Sequence, residues 1–294
     1  MTTIIGSEAF SECASLKEVS IPATIKSIGN NAFYKCTSLR KVTIPSSIKY
    51  ITNSCFYDCS SLDEVIIPSS VISISRFAFS GCLSLKAIDI PSSVKEIGEH
   101  AFSRCSSLER ITIPGEVKSI RINTFNDCSS LVFVSIPSSV TEIGYCSFCG
   151  CSSLKEISIP SNVTVIDSYA FSGCSSLEIV SLPSSITKIS ANSFYGCSSL
   201  KEISIPSSVV TIECSAFKEC SSLVQISFPA SLKTISNRSF SCCSSLKEIS
   251  IPSGVREIGG QAFEGCSSLE RISIPSSINI SNIGLNCHVK IDKI

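Results

Sequence analysis

Cysteine is the residue type with the most latent chemistry in this chain, with eighteen copies among 294 residues against only two histidines, His100 and His288. Cys146-x-x-Cys149-x-Cys151 is the single cluster spaced like a set of metal ligands, since a short turn lets nearby thiolates reach one ion. Cys151 is expected to face the core, and no second Cys or His pair accompanies the cluster. No metal and no cofactor is therefore assigned. Serines are abundant, but a serine nucleophile needs a positioned histidine and carboxylate, and His100 reads most simply as an exposed turn residue. Neither a glycine-rich phosphate loop nor H-E-x-x-H occurs. The chain is read as no enzyme.

The spacing of the remaining cysteines shows what they are for. Twelve of them run from Cys13 to Cys266 in steps of 23 residues, in phase with twelve leucines from Leu16 to Leu269 and twelve phenylalanines from Phe10 to Phe263. All twelve prolines, Pro22 to Pro275, keep the same step without insertion or deletion. A fixed period of this kind overrides any count of domains from length. Residues 1–294 are expected to form a single repeat domain of about twelve units. Residues 1–15 form a partial first unit, as if truncated, and 279–294 an irregular C-terminal cap. In that cap Ser281 stands where an isoleucine is due and Ile283 is shifted by two. The stretch Leu285–Ile291 resembles a closing strand.

The unit starting at Leu154 reads LKEISIPSNVTVIDSYAFSGCSS. Leu154, Ile157 and Ile159 give the period-2 pattern of a short strand. Pro160 cannot donate to a ladder, so the strand stops there. Ser161 and Asn162 turn the chain, and Val163 and Ile166 point inward again from a second, short extended stretch. Ala170 and Phe171 imply a tight helical or 3₁₀ turn anchored by the phenylalanine, and Cys174 ends it. No unit can bury these side chains alone, so neighbours must stack into one apolar column. The ladder cysteines would then stand about 5 Å apart, within disulfide reach. Their phase with leucine and phenylalanine favours buried, reduced thiols that act as small hydrophobes.

The pattern C-x-x-L-x-x-I-x-I-P-x-x-V-x-x-I-G-x-x-A-F resembles the BspA-like leucine-rich repeats. Cys151, Leu154, Ile157, Ile159, Pro160, Val163, Ile166, Ala170 and Phe171 carry the match, and the serine- and cysteine-rich version is most similar to the protist kind. The resemblance implies an α/β repeat solenoid. This is a leucine-rich-repeat right-handed superhelix with a parallel β-sheet on its concave face. Short strands, turns and 3₁₀ or short helices form its convex face. It also implies a cell-surface or secreted protein, surface-antigen-like, in contact with host proteins or other cells. It implies no catalytic residues.

Charge is balanced, 24 Lys+Arg against 24 Asp+Glu, which argues against nucleic acid as a partner recognised by general electrostatics. The longest apolar run, Leu131 to Val134, is far too short to insert in a membrane, and the first residues lack the features of a signal peptide. On the strand face, Glu156 and Ser158 point outward, and their columns are mostly charged residues and Ser/Thr. The departures are the candidate partner-binding residues. Phe133 and Ile179 replace charged residues, Ile66 and Asp89 replace Ser/Thr, and Val132 precedes Phe133. With strands in register, Arg110, Phe133, Glu156 and Ile179 occupy one row, and an aromatic flanked by charge is the usual composition of an interface hot spot. Two functions follow. One is a recognition or adhesion module for a protein or glycan, using this face and the serine-rich turns. The other is a cytosolic leucine-rich-repeat scaffold or regulatory protein. Three sequons, at Asn162, Asn237 and Asn279, matter only in a secretory pathway.

Overall fold

Residues 3–294 are described by a computed structural model. The chain divides after Ser152 into two compact units, and in each the 23-residue repeat is one coil of a parallel β-solenoid. Apolar residues at every second position bury one face of the first strand: Val42, Ile111 and Ile157 are buried while their flanking residues are exposed. In the first unit, Glu18–Val19, Lys41–Thr43 and Glu64–Ile66 pair in parallel, as do Arg110–Thr112 and Phe133–Ser135. In the second, Glu156–Ser158 pairs with Ile179–Ser181, Glu202–Ser204 with Gln225–Ser227, and Glu248–Ser250 with Arg271–Ile274. Each register advances by one repeat, so identical positions stand side by side.

After the proline the chain turns, with the Ile48 amide donating to the Pro45 carbonyl at 3.0 Å. It then enters a second, two-residue strand. Tyr50–Ile51, Ser73–Ile74 and Glu96–Ile97 form one such ladder, and Lys188–Ile189, Thr211–Ile212, Thr234–Ile235 and Glu257–Ile258 another. The serine two residues after proline holds this corner. Ser70 donates to the Ile48 carbonyl at 2.7 Å and Ser231 to that of Val209 at 2.7 Å. The serine repeat therefore satisfies carbonyls of the preceding coil.

The third side differs in detail from the helical or 3₁₀ turn that the sequence suggests, and the described residues contain no helix. Amides alternate in direction. Asn31, Phe33 and Lys35 donate to Asn53, Cys55 and Tyr57 of the next coil at 3.0, 2.9 and 2.7 Å, whereas Tyr34 and Cys36 donate back to Asn31 and Phe33. Consecutive local bonds, which a helix requires, cannot form in that arrangement. Left-handed residues four apart bend the chain to suit, here Asn31 (φ 56°) and Lys35 (φ 54°), and likewise Asn192 with Gly196 and Ser215 with Glu219. A non-glycine residue in this region costs roughly 1–2 kcal/mol. Each inter-coil bond it permits returns about 1 kcal/mol, so the conformation persists only because the neighbouring coil supplies partners.

Phenylalanine fills the interior. Phe10, Phe33, Phe56, Phe79, Phe102, Phe125 and Phe148 stack in the first unit with ring centroids 5.2–5.7 Å apart. Phe171, Phe194, Phe217, Phe240 and Phe263 do so in the second at 5.4–5.8 Å. The ladder cysteines from Cys36 to Cys266 are buried, as expected. They do more than fill space. The Cys59 thiol donates to the Phe33 carbonyl of the preceding coil at 3.0 Å, and Cys105 to Phe79 and Cys220 to Phe194 at 3.2 Å. Donation requires the protonated thiol, and burial secures it by pushing Cys105 and Cys266 up to about 12. Cys13 departs from the expected ladder: it is exposed, and Phe10 is 36% exposed, since among the described residues only one neighbouring coil packs on it. At the other end the shifted Ile283 is buried, and pairing resumes only at Lys290–Lys293. Lys290 lies beside Arg271, where a full repeat would have placed residue 294.

Three predictions follow from this interior. A thiol-specific chromogenic reagent should react quickly with the exposed Cys13, Cys214, Cys242 and Cys287, and with the ladder thiols only as fast as the chain unfolds. Fast reaction of the ladder thiols in the native protein would place them outside the core. Phe171→Ala should destabilise by about 3–5 kcal/mol in denaturant melts, since it empties a fully buried aromatic site. Ser193→Ala should instead stabilise by about 1 kcal/mol. Its buried hydroxyl has no hydrogen-bond partner, and alanine occupies the same position at Ala216.

Candidate functional site

Some of the outward charges pair with a neighbouring coil. Lys41 meets Glu64 at 2.6 Å, Arg121 meets Glu96 at 2.8 Å and Lys201 meets Glu178 at 3.0 Å. Exposed pairs of this kind contribute about 0–1 kcal/mol. Against that background the departures in the columns stand out.

In the first unit, Arg110 and Phe133 are direct cross-strand partners. The guanidinium lies over the half-exposed ring, 4.5 Å from its centroid. Together with Asp89, Ala87 and Thr112 they line a hollow of about 360 Å³. The sheet weakens beside it. Only a single bridge joins Ala87 to Arg110, and no described strand pairing joins the 87–89 segment to Glu64–Ile66. Alanine and aspartate, both poor strand formers, occupy the two outward positions there; in the second unit pairing is likewise interrupted between Ile179–Ser181 and Glu202–Ser204 and between Gln225–Ser227 and Glu248–Ser250. The hollow at Ala87 is a recess with a carboxylate, a guanidinium and an aromatic ring within one opening. Val132, 44% exposed, adjoins Phe133 (41%). Ile66 is also exposed, but it pairs with Thr43 in another sheet and does not line the hollow.

In the second unit, Glu156 pairs with Ile179. Ile179 is 61% exposed and, with Glu178, Glu202, Ser204 and Gln225, lines a separate hollow of about 510 Å³. A third, of about 640 Å³, brings Val224 and Phe228 together with Lys247, Glu248 and Arg271. The sequence reading missed it, although the signal was present: Val224 stands in the same column as Val132, and Phe228 where most repeats carry isoleucine.

The turn face holds a further feature that sequence reasoning missed. His100 is half-buried rather than exposed and is stacked on Phe77 at 4.3 Å. Its ring nitrogen Nε2 lies 3.3 Å from Asn123 Nδ2. Burial, and then the Arg76 charge, push its pKa down. Tyr34, Tyr57 and Phe77 extend the aromatic row. Of the cysteine cluster, Cys146 and Cys149 are half-buried on this face, whereas Cys151 is buried and donates to the Phe125 carbonyl at 3.2 Å. No group of three His, Cys, Asp or Glu side chains that could hold a metal occurs among the described residues. Nor is there among them a helix long and apolar enough to cross a membrane.

Open recesses on a ladder of stacked coils define a repeat solenoid of the leucine-rich type. The model of the BspA type leucine rich repeat region matches residues 1–109, 95–213 and 187–294, and the chain belongs to that family. It is similar to a leucine-rich repeat protein from Bacteroides ovatus, with 29% identity and a TM-score of 0.63 over 95% of this chain and 92% of the other. It is also similar to a leucine rich cell surface protein from Faecalibacterium prausnitzii, with 31% identity and a TM-score of 0.59 over 99% and 83%. A leucine-rich repeat protein from Eubacterium ventriosum matches at 26% identity and a TM-score of 0.58 over 92% and 87%. No protein of curated function matches the sequence.

A double-mutant cycle checks the site geometry. Arg110→Ala and Phe133→Leu should couple by about 0.5–1 kcal/mol in stability, the usual strength of an exposed cation–π pair. Additive effects would mean that the guanidinium does not rest on the ring.

Proposed function

We propose that the chain is a non-enzymatic recognition module that binds a macromolecular partner, protein or glycan, through the outward faces of its first strands. The observation that carries this reading is the recess of Asp89, Arg110 and Phe133 in the first unit. A ring held in place by a guanidinium loses little freedom on binding. Fixed charges of both signs beside it orient a partner, and such aromatic–arginine pairs dominate interface energetics. Val132 widens the apolar contact, and Ile66 is a secondary contact in the same unit. Glu156 and Ile179 make a second contact surface in the other unit.

A cell-surface or secreted location is supported by the description of the Faecalibacterium neighbour as a leucine rich cell surface protein, and adhesion is the corresponding role. A second reading is a cytosolic scaffold. It is supported by the buried thiols, which serve the fold as protonated donors and suit a reducing compartment.

The test compares capture of partners from a cognate extract, and from a glycan array, by wild-type protein and by a Phe133→Ser, Ile179→Glu double variant. Both residues are exposed, so the variant should fold normally. Its affinity for the same partners should fall at least about tenfold, or about 1.4 kcal/mol. Equal recovery by both proteins would move the binding surface to another face.

A further inference from the structure

The half-buried cysteines of the 146–149 turn have no role in the core, and their geometry suits a different chemistry. The turn closes with the Cys149 amide donating to the Cys146 carbonyl at 3.2 Å. That bond defines a β-turn and holds the two Cα atoms within about 7 Å, at the separation a disulfide spans. Side chains at these two positions of the repeat do meet. In another coil Gln261 and Glu264 occupy them, and Gln261 Nε2 donates to Glu264 Oε1 at 3.3 Å. The backbone around Cys149 is fixed, since its carbonyl accepts from the Asp127 amide at 2.7 Å and from Asn126 Nδ2 at 3.2 Å. Cys151, two residues on, is turned inward and committed to the Phe125 carbonyl. The turn thus presents one pair of thiols and withholds the third.

We propose that Cys146 and Cys149 form a dithiol redox site, oxidised to a reversible intramolecular disulfide by low-molecular-weight disulfides. One thiol loses its proton and the thiolate attacks a sulfur of the small disulfide. That S–S bond breaks, a mixed disulfide forms and one small thiolate leaves to take up a proton. The second cysteine, likewise deprotonated, attacks the protein sulfur of the mixed disulfide and expels the other half. In sum, two protein thiols and one small disulfide give one protein disulfide and two small thiols. Burial, followed by the neighbouring Cys149, pushes Cys146 up to about 11. Little thiolate exists at neutral pH, so the site equilibrates slowly and reports the ambient thiol–disulfide ratio rather than turning over as a catalyst. The exposed cysteines at 214, 242 and 287 have no such partner three residues away in sequence, and with small disulfides they yield mixed disulfides.

The test equilibrates the native protein in reduced and oxidised glutathione, quenches with acid, alkylates in denaturant, and sequences the tryptic peptide 122–155 by mass spectrometry. This peptide contains Cys128, Cys146, Cys149 and Cys151. The expected product lacks two hydrogens, is linked Cys146 to Cys149, and carries alkyl groups on Cys128 and Cys151. It should exceed glutathionylated peptide by about tenfold or more, because the second thiol acts at the millimolar or higher effective concentration of a short tether. At least one of Cys149→Ser and Cys146→Ser should instead accumulate glutathione on its remaining thiol. The proposal is overturned if the peptide stays reduced where Cys214, Cys242 and Cys287 take up glutathione. A link through Cys151, or glutathione on neither variant, would overturn it equally.

Discussion

Each coil of this protein leaves backbone amides and carbonyls pointing along the stack, and only the adjacent coils can satisfy them. A buried amide without a partner costs of the order of 1–3 kcal/mol. An inserted or deleted residue would displace every such group of a coil at once. The uninterrupted 23-residue step of proline, leucine, phenylalanine and cysteine is the sequence counterpart of that constraint. The left-handed residues of the third side have the same origin. Residues as unsuited to that conformation as Phe77 (φ 57°) and Tyr169 (φ 60°) adopt it, because alternate amides must reach the next coil.

The cysteine ladder shows how one side chain meets two demands of this stacking. The Phe33 carbonyl accepts the Cys36 amide within its own coil and the Cys59 thiol from the next. A larger apolar residue would lose that donor and crowd the ring stack. A disulfide between neighbouring coils would remove the thiol hydrogens that tie coil to coil. High cysteine content, usually the mark of a small cross-linked secreted scaffold, here accompanies an interior that uses the thiol as a compact hydrogen-bond donor. Serine plays the same part at the proline corner, where Ser93 donates to the Val71 carbonyl at 2.7 Å. Residues that look like candidate chemistry in the sequence are thereby largely absorbed by the fold.

How legible each part was depended on whether its signal was periodic. The first strand, the proline stop, the inward phenylalanine and the phase of the cysteines each repeat twelve times, and the sequence showed them at residue level. The third side was misjudged because a small residue followed by phenylalanine is compatible with both a 3₁₀ turn and alternating bonding. What decides between them is the carbonyl of the next coil, which no single repeat displays. His100 was misplaced for a related reason: its neighbour Phe77 lies one repeat away and is prominent only when the turn columns are aligned. Among candidate surface residues, Arg110 and Phe133 were recoverable because they share a column. The recess that joins them to Asp89 was not, because whether neighbouring strands pair or part is not written in any one residue.

That interruption bears on function. Lysine and glutamate side by side in a row neutralise one another, as at Lys41 and Glu64. Such rows offer a partner nothing that water does not. At Ala87 a single bridge replaces the regular pairing, and the adjoining coils supply an arginine laid on an aromatic ring. Both coils beneath it keep their buried isoleucine, valine, leucine and cysteine, so the interior that fixes the register is undisturbed. The repeat can accept this kind of change at outward strand positions because stacking demands nothing of them, and they are where specificity can be written without loss of the fold.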